Sequence, residues 1–223
     1  MDLPLPADPV DLFAAAQAYT GNSGDAWHAV GAAQVAILRA LGCRPEHHVL
    51  EVGAGSLCGG HAIIAYLDAD QYVGIEPNGW LVRAALEGAG IEPLVAEKRP
   101  VFLARDDFDA SFLGRRFDFA IGHSILSHAA HWQLPRLLTA LRPVLHAGSV
   151  VAMSLRLRDA DSFDREWQYP GNSWFSSWSV RAFAEACGFL VETRDDLRAI
   201  MVAAAPNNVH DWVVFRPMPA RLP

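Results

Sequence analysis

The chain has 223 residues, 52% hydrophobic and 19% charged, enough for a sizeable core and a length met most often as one domain or a domain with a cap. Its 18 Lys and Arg against 25 Asp and Glu give a formal net charge of -7 with no basic run, which disfavours nucleic acid, whose phosphates need clustered cations. A small basic patch could still assemble from Arg115, Arg116, Arg156 and Arg158. The cysteines Cys43, Cys58 and Cys187 are odd in number and at no metal-like spacing, so they read as reduced thiols of a cytoplasmic protein. No apolar stretch follows a basic start and no apolar run reaches about 18 residues, so neither a secretory signal nor a membrane span is expected.

Residues 1–12 carry Pro4, Pro6 and Pro9 and read as an extended arm. From Asp25 to Leu41 apolar residues recur at helical spacing, with Gly42 as the closing cap and Pro45 beyond. Residues 48–52 read as a buried strand that runs into the small-residue turn Gly53-Ala54-Gly55, followed by a helix over about 57–67. A second strand spans 72–75 and ends on Glu76; Pro77 and Asn78 open a helix over 79–88. Short strands follow at 101–104 and 117–124, a helix in LPRLLTALRPVL with Pro135 in its first turn, a strand at 149–156, and a helix in SVRAFAEACGF. The last strands are 191–194 and 209–215, joined by a loop or partial helix over 195–208. Alternation of strand and helix predicts a parallel, doubly wound sheet, and the two closing strands predict one antiparallel member.

The stretch HVLEVGAGSLCGG (48–60) carries the strongest chemical signal. A strand, a turn of small residues and a helix N-terminus let backbone N–H groups approach a ligand. Glu76 stands about 20 residues further on, the spacing at which an acid accepts ribose hydroxyls. The glycines alone fit a plain tight turn equally well. A dinucleotide fingerprint requires glycine where Cys58 stands, and Glu51 in the strand end would repel a pyrophosphate yet attract a cation. Nucleotide-dependent dehydrogenase is therefore the runner-up reading of the fold.

Trp27, Gly31 and Gln34, then GCRPEHHVLEVGAGSLCGG, YLDADQYVGIEPN and RDDFDASFLGRRFDFAIGHSILSHA, together resemble bacterial class I S-adenosylmethionine-dependent methyltransferases from Tyr19 to about Leu145. The resemblance implies a Rossmann-like α/β fold: a doubly wound, mostly parallel seven-stranded sheet with one antiparallel strand, and S-adenosylmethionine as cofactor. Relatives often carry Asp at the positions of Glu51 and Glu76, which keeps the charge, and Arg at that of Cys58, whose role does not carry over. Gly53, Ala54 and Gly55 would line the methionine moiety and Glu51 its ammonium. Glu76 would take the ribose, with Pro77 and Asn78 beside the adenine. Asp106 or Asp107 would accept from the adenine amino group, with Asp106 preferred because it follows the strand directly; Phe108 would lie against the ring. His123 and Ser124 would face the reacting methyl.

Methyl transfer needs alignment and exclusion of water, and an oxygen acceptor also needs a base. His123 stands at a strand end facing the ligand crevice and is the candidate catalytic base; a pocket wall is the competing role. His128 and His131 read as structural, His47 and His48 as surface residues at the far end of the sheet, and no metal site is expected. The aromatic run WQYPGNSWFSSW could put Tyr169, Trp174 and Phe175, beside Trp167, over a flat or apolar acceptor, or pack its rings on the fold. Tyr19 and Trp27 could cover the same crevice.

The expectation is one methyltransferase domain over 1–223, with residues 1–42 and the loop 157–178 as a cap. The reaction expected is methyl transfer to a small organic acceptor of specialised metabolism, with no nucleic acid or membrane partner. A non-catalytic S-adenosylmethionine-binding sensor or partner subunit, or an enzyme using the cofactor for another reaction, are the alternatives. No sequence signal bears on oligomeric state.

Overall fold

A computed structural model describes residues 5–219. The expected extended arm is corrected from Pro9 onward, where the chain forms helix α1 (Pro9–Thr20). Asp8 caps it, Oδ1 accepting from the N–H of Val10 at 2.9 Å and of Asp11 at 3.2 Å. Pro9 sits at the start of the helix, where its missing N–H costs nothing and its fixed φ already fits. Proline count pointed to an extended chain; proline position made a helix start. Pro4 lies outside the described residues.

Helix α2 (Asp25–Ala40) follows the expected periodicity and buries Trp27, Val30, Gln34, Ile37 and Leu38 along one stripe. The chain then alternates: β1 (Val49–Val52), α3 (Gly60–Tyr66), β2 (Tyr72–Ile75), α4 (Gly79–Gly88), α5 (Glu92–Lys98), β3 (Val101–Leu103), β4 (Phe117–Gly122), α6 (Gln133–Leu141) and β5 (Leu145–Leu155). A short pair, β6 (Leu157–Arg158) and β7 (Phe175–Ser176), brackets the aromatic loop. The chain closes with α7 (Ser177–Ala186), β8 (Phe189–Thr193), α8 (Asp195–Ala204) and β9 (Asp211–Pro217).

The main sheet has seven strands in the order β3-β2-β1-β4-β5-β9-β8. β1 to β5 are parallel, and β9 runs antiparallel to both β5 and β8, with Ser154 opposite Trp212 and Val191 opposite Phe215. The expected mixed sheet is present. Helix α5, a short element between Gly90 and β3, is not among the expected elements. The connector over 195–208 contains the full helix α8, started by Asp195 and Asp196 in its first turn. α6 stops at Leu141, ahead of the 3-10 turn that contains Pro143.

Successive strand residues feed opposite layers. Leu50, Val52 and Ile75 pack with α6 and α7 residues such as Leu137, Leu138 and Val180. Val49, Tyr72 and Ile121 pack with Ile37, Ile63 and Met201 from α2, α3 and α8. Both faces are buried, so the parallel strands read as continuous apolar runs. Strand order reverses between β1 and β4, opening a crevice beyond their carboxyl ends, where ligands bind in such sheets.

Candidate active site

β1 carries Glu51 into that crevice almost completely shielded from solvent, 3% exposed. The Tyr72 hydroxyl, from neighbouring β2, donates to Glu51 Oε2. Burial pushes the Glu51 carboxyl up to about 8; the Tyr72 bond pulls it back and the Glu76 charge adds to the rise. Gly59 lets the chain pass against this acid: a Cβ there would collide with Glu51 Oε1 and the Gln34 amide. Gln34 is buried, and its Oε1 has no hydrogen-bond partner among the described residues. A buried orphan acceptor beside a buried carboxyl is an unfilled demand for donors or a cation.

The turn after β1 is held from the next strand. Glu76 Oε2 accepts from Gly55 N–H at 2.9 Å and Oε1 from Asn78 N–H at 2.8 Å. Burial raises the Glu76 carboxyl, and these backbone bonds partly offset the rise. Each oxygen keeps a lone pair for a further donor. Gly53 adopts φ 73°, and any side chain there would overlap Ile125.

Glu51, Gly53, Ala54, Gly55, Glu76, Pro77, Asn78, Asp106, Phe108, His123 and Ser124 line one cavity of about 400 Å3. Phe108 and Ser124 are held at positive φ, 62° and 60°, so the backbone stores strain where it turns into the cavity. Asp107 does not join them. Arg105 grips it through Nε–H at 2.8 Å and a second guanidinium bond, which holds its carboxyl down at about 2. Of the two acids only Asp106 faces the cavity.

At the end of β4, His123 is set between the Trp212 and His210 rings, and its Nε2 is 3.1 Å from Asn208 Oδ1. Burial drives its pKa down to about 4, the Asn208 bond opposing. It is neutral at pH 7 and a weak base. His128 also lines the cavity: its Nδ1 is 2.6 Å from the Gly171 carbonyl, which fixes the proton there, and its Nε2 is 3.4 Å from Ser124 Oγ. His131 is buried against Phe163 and Phe175, near Asp161, in keeping with its structural reading.

The aromatic residues expected at the acceptor divide. Tyr19 and Tyr169 line the cavity, with rings 5.2 Å apart and the Tyr169 hydroxyl donating to the Tyr19 carbonyl; Trp167 lines it too. Trp27, Trp174 and Phe175 do not. Trp27 is buried under the glycine turn, stacked on His61 and donating to Ser56 O at 3.1 Å. Trp174 packs against Arg158, whose guanidinium carbon is 3.2 Å from the ring centre. Phe175 is wholly buried in the core through β7. β7 pairing with β6 turns these two rings away from the crevice, a long-range event with no signature in the local run.

Thr20, Asn22, Gln34, Arg105, His128 and Gln133 line the cavity and were not singled out as site residues. Thr20 and Asn22 follow from α1, whose end is pinned by a 2.9 Å bond between Thr20 Oγ1 and Ser56 Oγ. A signal for Gln34 was available: it is a polar residue on the buried stripe of α2.

The sheet order, the antiparallel β9 and the crevice define the class I methyltransferase fold. No protein-family model matches the sequence, and no curated protein matches it. The chain is similar in structure to the methyltransferase CcbJ from Streptomyces caelestis (TM-score 0.64, 13% identity, covering 92% of this chain and 96% of that one). It is similar to the magnesium protoporphyrin IX methyltransferase ChlM from Synechocystis with bound S-adenosylmethionine (TM-score 0.61, 16% identity, 98% and 100% covered). It is also similar to the cyclase SpnF (TM-score 0.61, 16% identity, 85% and 82% covered). One architecture thus carries more than one chemistry, and function must be argued from the site.

Proposed function

We propose that this chain is an S-adenosylmethionine-dependent methyltransferase acting on a small organic acceptor, of the kind met in specialised metabolism. One observation carries the reading. Two buried carboxyls, Glu51 and Glu76, flank the Gly53–Gly55 turn, and Arg105, the only Lys or Arg among the described lining residues, is neutralised by Asp107. When these acids ionise such a cavity attracts a cation, and it offers a pyrophosphate no free side-chain counter-charge.

The residues fit the cofactor. Glu51 and the unpartnered Gln34 Oε1 answer an ammonium, and Glu76 has lone pairs for ribose hydroxyls. Asp106 can accept from the adenine amino group, with Phe108 against the ring and Gly53, Ala54, Gly55, Pro77 and Asn78 as close walls. Bound there, S-adenosylmethionine supplies a methyl group activated by its sulfonium. The structural likeness to ChlM with bound S-adenosylmethionine supports the same cofactor here. The protein's remaining task is alignment and dryness, which Tyr19 and Tyr169 serve by closing over the cavity.

His123, neutral and hard to protonate, suits a wall that orients the acceptor better than a strong base. A neutral amine, which needs only alignment, therefore fits the site better than an alcohol. We read the chain as one domain with α1 and residues 157–178 as its cap. No described helix is long and apolar enough to cross a membrane. The three free cysteines support a cytoplasmic setting.

Calorimetry with S-adenosylmethionine, S-adenosylhomocysteine and NAD tests the reading: the first two should bind and NAD should not. Tight NAD binding with no response to the others would overturn it. Binding without turnover across an acceptor panel would move the assignment to a non-catalytic sensor or partner subunit.

A further inference from the structure

A second cavity of about 450 Å3 adjoins the first and shares Thr20, Asn22, His123 and Ser124 with it. It lies between the start of α2 and the end of α8, beyond the residues proposed to hold the cofactor. Resting on the cofactor reading above, we infer that it is the acceptor chamber and that it takes a non-aromatic amino alcohol.

The wall chemistry carries the choice. No Lys or Arg is among the chamber's described lining residues, so a phosphorylated or carboxylated acceptor has no counter-charge. Asp25, in the first turn of α2 at the exposed mouth, is its only carboxylate, and no hydrogen bond or ion pair engages that side chain among the described residues. The polar wall carries acceptors beside its amide and hydroxyl donors. Asn208 Oδ1 receives His123 Nε2–H at 3.1 Å and His210 Nδ1–H at 2.6 Å, which leaves the other nitrogen of each ring unprotonated. Asn22 Nδ2 donates to Thr20 O at 3.3 Å, leaving its Oδ1 as an acceptor. Both rings resist protonation because of their burial. Asn207, the Asn208 Nδ2 and the Thr20 and Ser124 hydroxyls add donors, so the wall meets hydroxyls with both donors and acceptors, and its one carboxylate adds a preference for an amine.

The lining disfavours the flat acceptor expected from the aromatic run. Ala26, Ala29, Ala204 and Ala205, with Val30 and Pro206, build the apolar part, and no Phe, Tyr or Trp is present in the described lining. The only aromatic rings in this described lining are the imidazoles of His123 and His210, which already pack on each other and, for His123, on Trp212, so little face is offered to a planar aromatic. Trp167 and Tyr169 lie on the first cavity instead.

The test uses the whole chain saturated with S-adenosylhomocysteine and four probes: D-glucamine, sorbitol, gluconate and catechol. Saturation-transfer NMR reads their binding, and calorimetry reads S-adenosylhomocysteine. Glucamine should bind best, sorbitol more weakly, gluconate and catechol not at all. Asp25→Asn should weaken glucamine about fivefold or more, towards sorbitol, and leave S-adenosylhomocysteine affinity unchanged. Ala29→Phe, at a half-buried wall position, should abolish glucamine and sorbitol binding alike while S-adenosylhomocysteine still binds, which reports an intact fold. Catechol or gluconate binding above glucamine, no probe binding at all, or glucamine indifferent to both substitutions would overturn the chamber assignment with the cofactor reading intact. Failure of S-adenosylhomocysteine to bind the unaltered chain would instead overturn the cofactor reading, and the chamber's role with it.

Discussion

The Tyr72 hydroxyl donates to the Glu51 carboxyl across neighbouring strands, and both groups are buried. A phenol beside an acid held near 8 makes the acid a proton store in the ligand-free protein.

Glu51→Gln should therefore stabilise the ligand-free fold. The folded-state pKa of about 8 lies above the ordinary 4.5, so the folded chain keeps a proton that the unfolded chain releases. The contribution is full below pH 4.5 and is lost as pH rises through about 8. The melting temperature of Glu51→Gln minus that of the native chain should grow from pH 5 to pH 8. The same variant should bind S-adenosylmethionine more weakly, because the ionised form that answers the ammonium is gone. A lower melting temperature at pH 8 would give Glu51 a purely structural role.

Glu76→Ala should weaken S-adenosylmethionine by about ten- to 150-fold, the equivalent of charged hydrogen bonds worth about 1.5–3 kcal/mol. It also strips Gly55 N–H and Asn78 N–H of their acceptor, so thermal stability should fall. Glu76→Gln separates the effects: it should keep more stability than Ala and still lose affinity. Calorimetry paired with melting curves reads both. Unchanged affinity in a folded Glu76→Ala protein removes it from the ribose.

His123 and His210 have folded pKa values lowered to about 4 and about 3 by burial. The folded state resists protons that the unfolded imidazoles bind from pH 6.5 downward, so their contribution is present above 6.5 and lost as pH falls. His123→Gln should shift the acid-unfolding midpoint downward. If His123 is a wall, kcat/KM should show no inflection from it near pH 4, where a general base of that pKa would give one. His123→Ala should then cost far less than the factor of about 100 to 10,000 set by a general base.

Tyr169→Phe removes the bond to the Tyr19 carbonyl and should raise the S-adenosylmethionine KM with little change in kcat, since it loosens the cover of the first cavity without touching the reacting atoms. Trp174→Ala should leave acceptor kinetics unchanged and make the loop over 157–178 easier to cut by protease, because that ring packs on Arg158. A raised KM in Trp174→Ala would return that ring to the acceptor.

The glycine turn, Glu51 and Glu76 were legible because each is set within a few residues of a strand end, where side-chain alternation and strand length fix position. The same holds for the α2 stripe and the parallel alternation. The helix at Pro9 is less legible, because three prolines in twelve residues suit an extended chain and only the Asp8 cap marks a helix start. Between Asp106 and Asp107 the sequence left a choice that the Arg105 pairing decides.

By itself the sequence determined the sheet class, its antiparallel member and the acids at the crevice, all governed by periodicity and short-range turn chemistry. Only the tertiary structure decided which aromatics cover the crevice. The β6–β7 pairing sends Trp174 and Phe175 to the fold, and Tyr169 meets Tyr19 across 150 residues. It also decided that His123 is neutral, since its burial comes from Trp212 and its hydrogen bond from Asn208, both about 85 residues away or more. Local pattern states which residues can reach a strand end; packing between distant segments sets what surrounds them and therefore their charge.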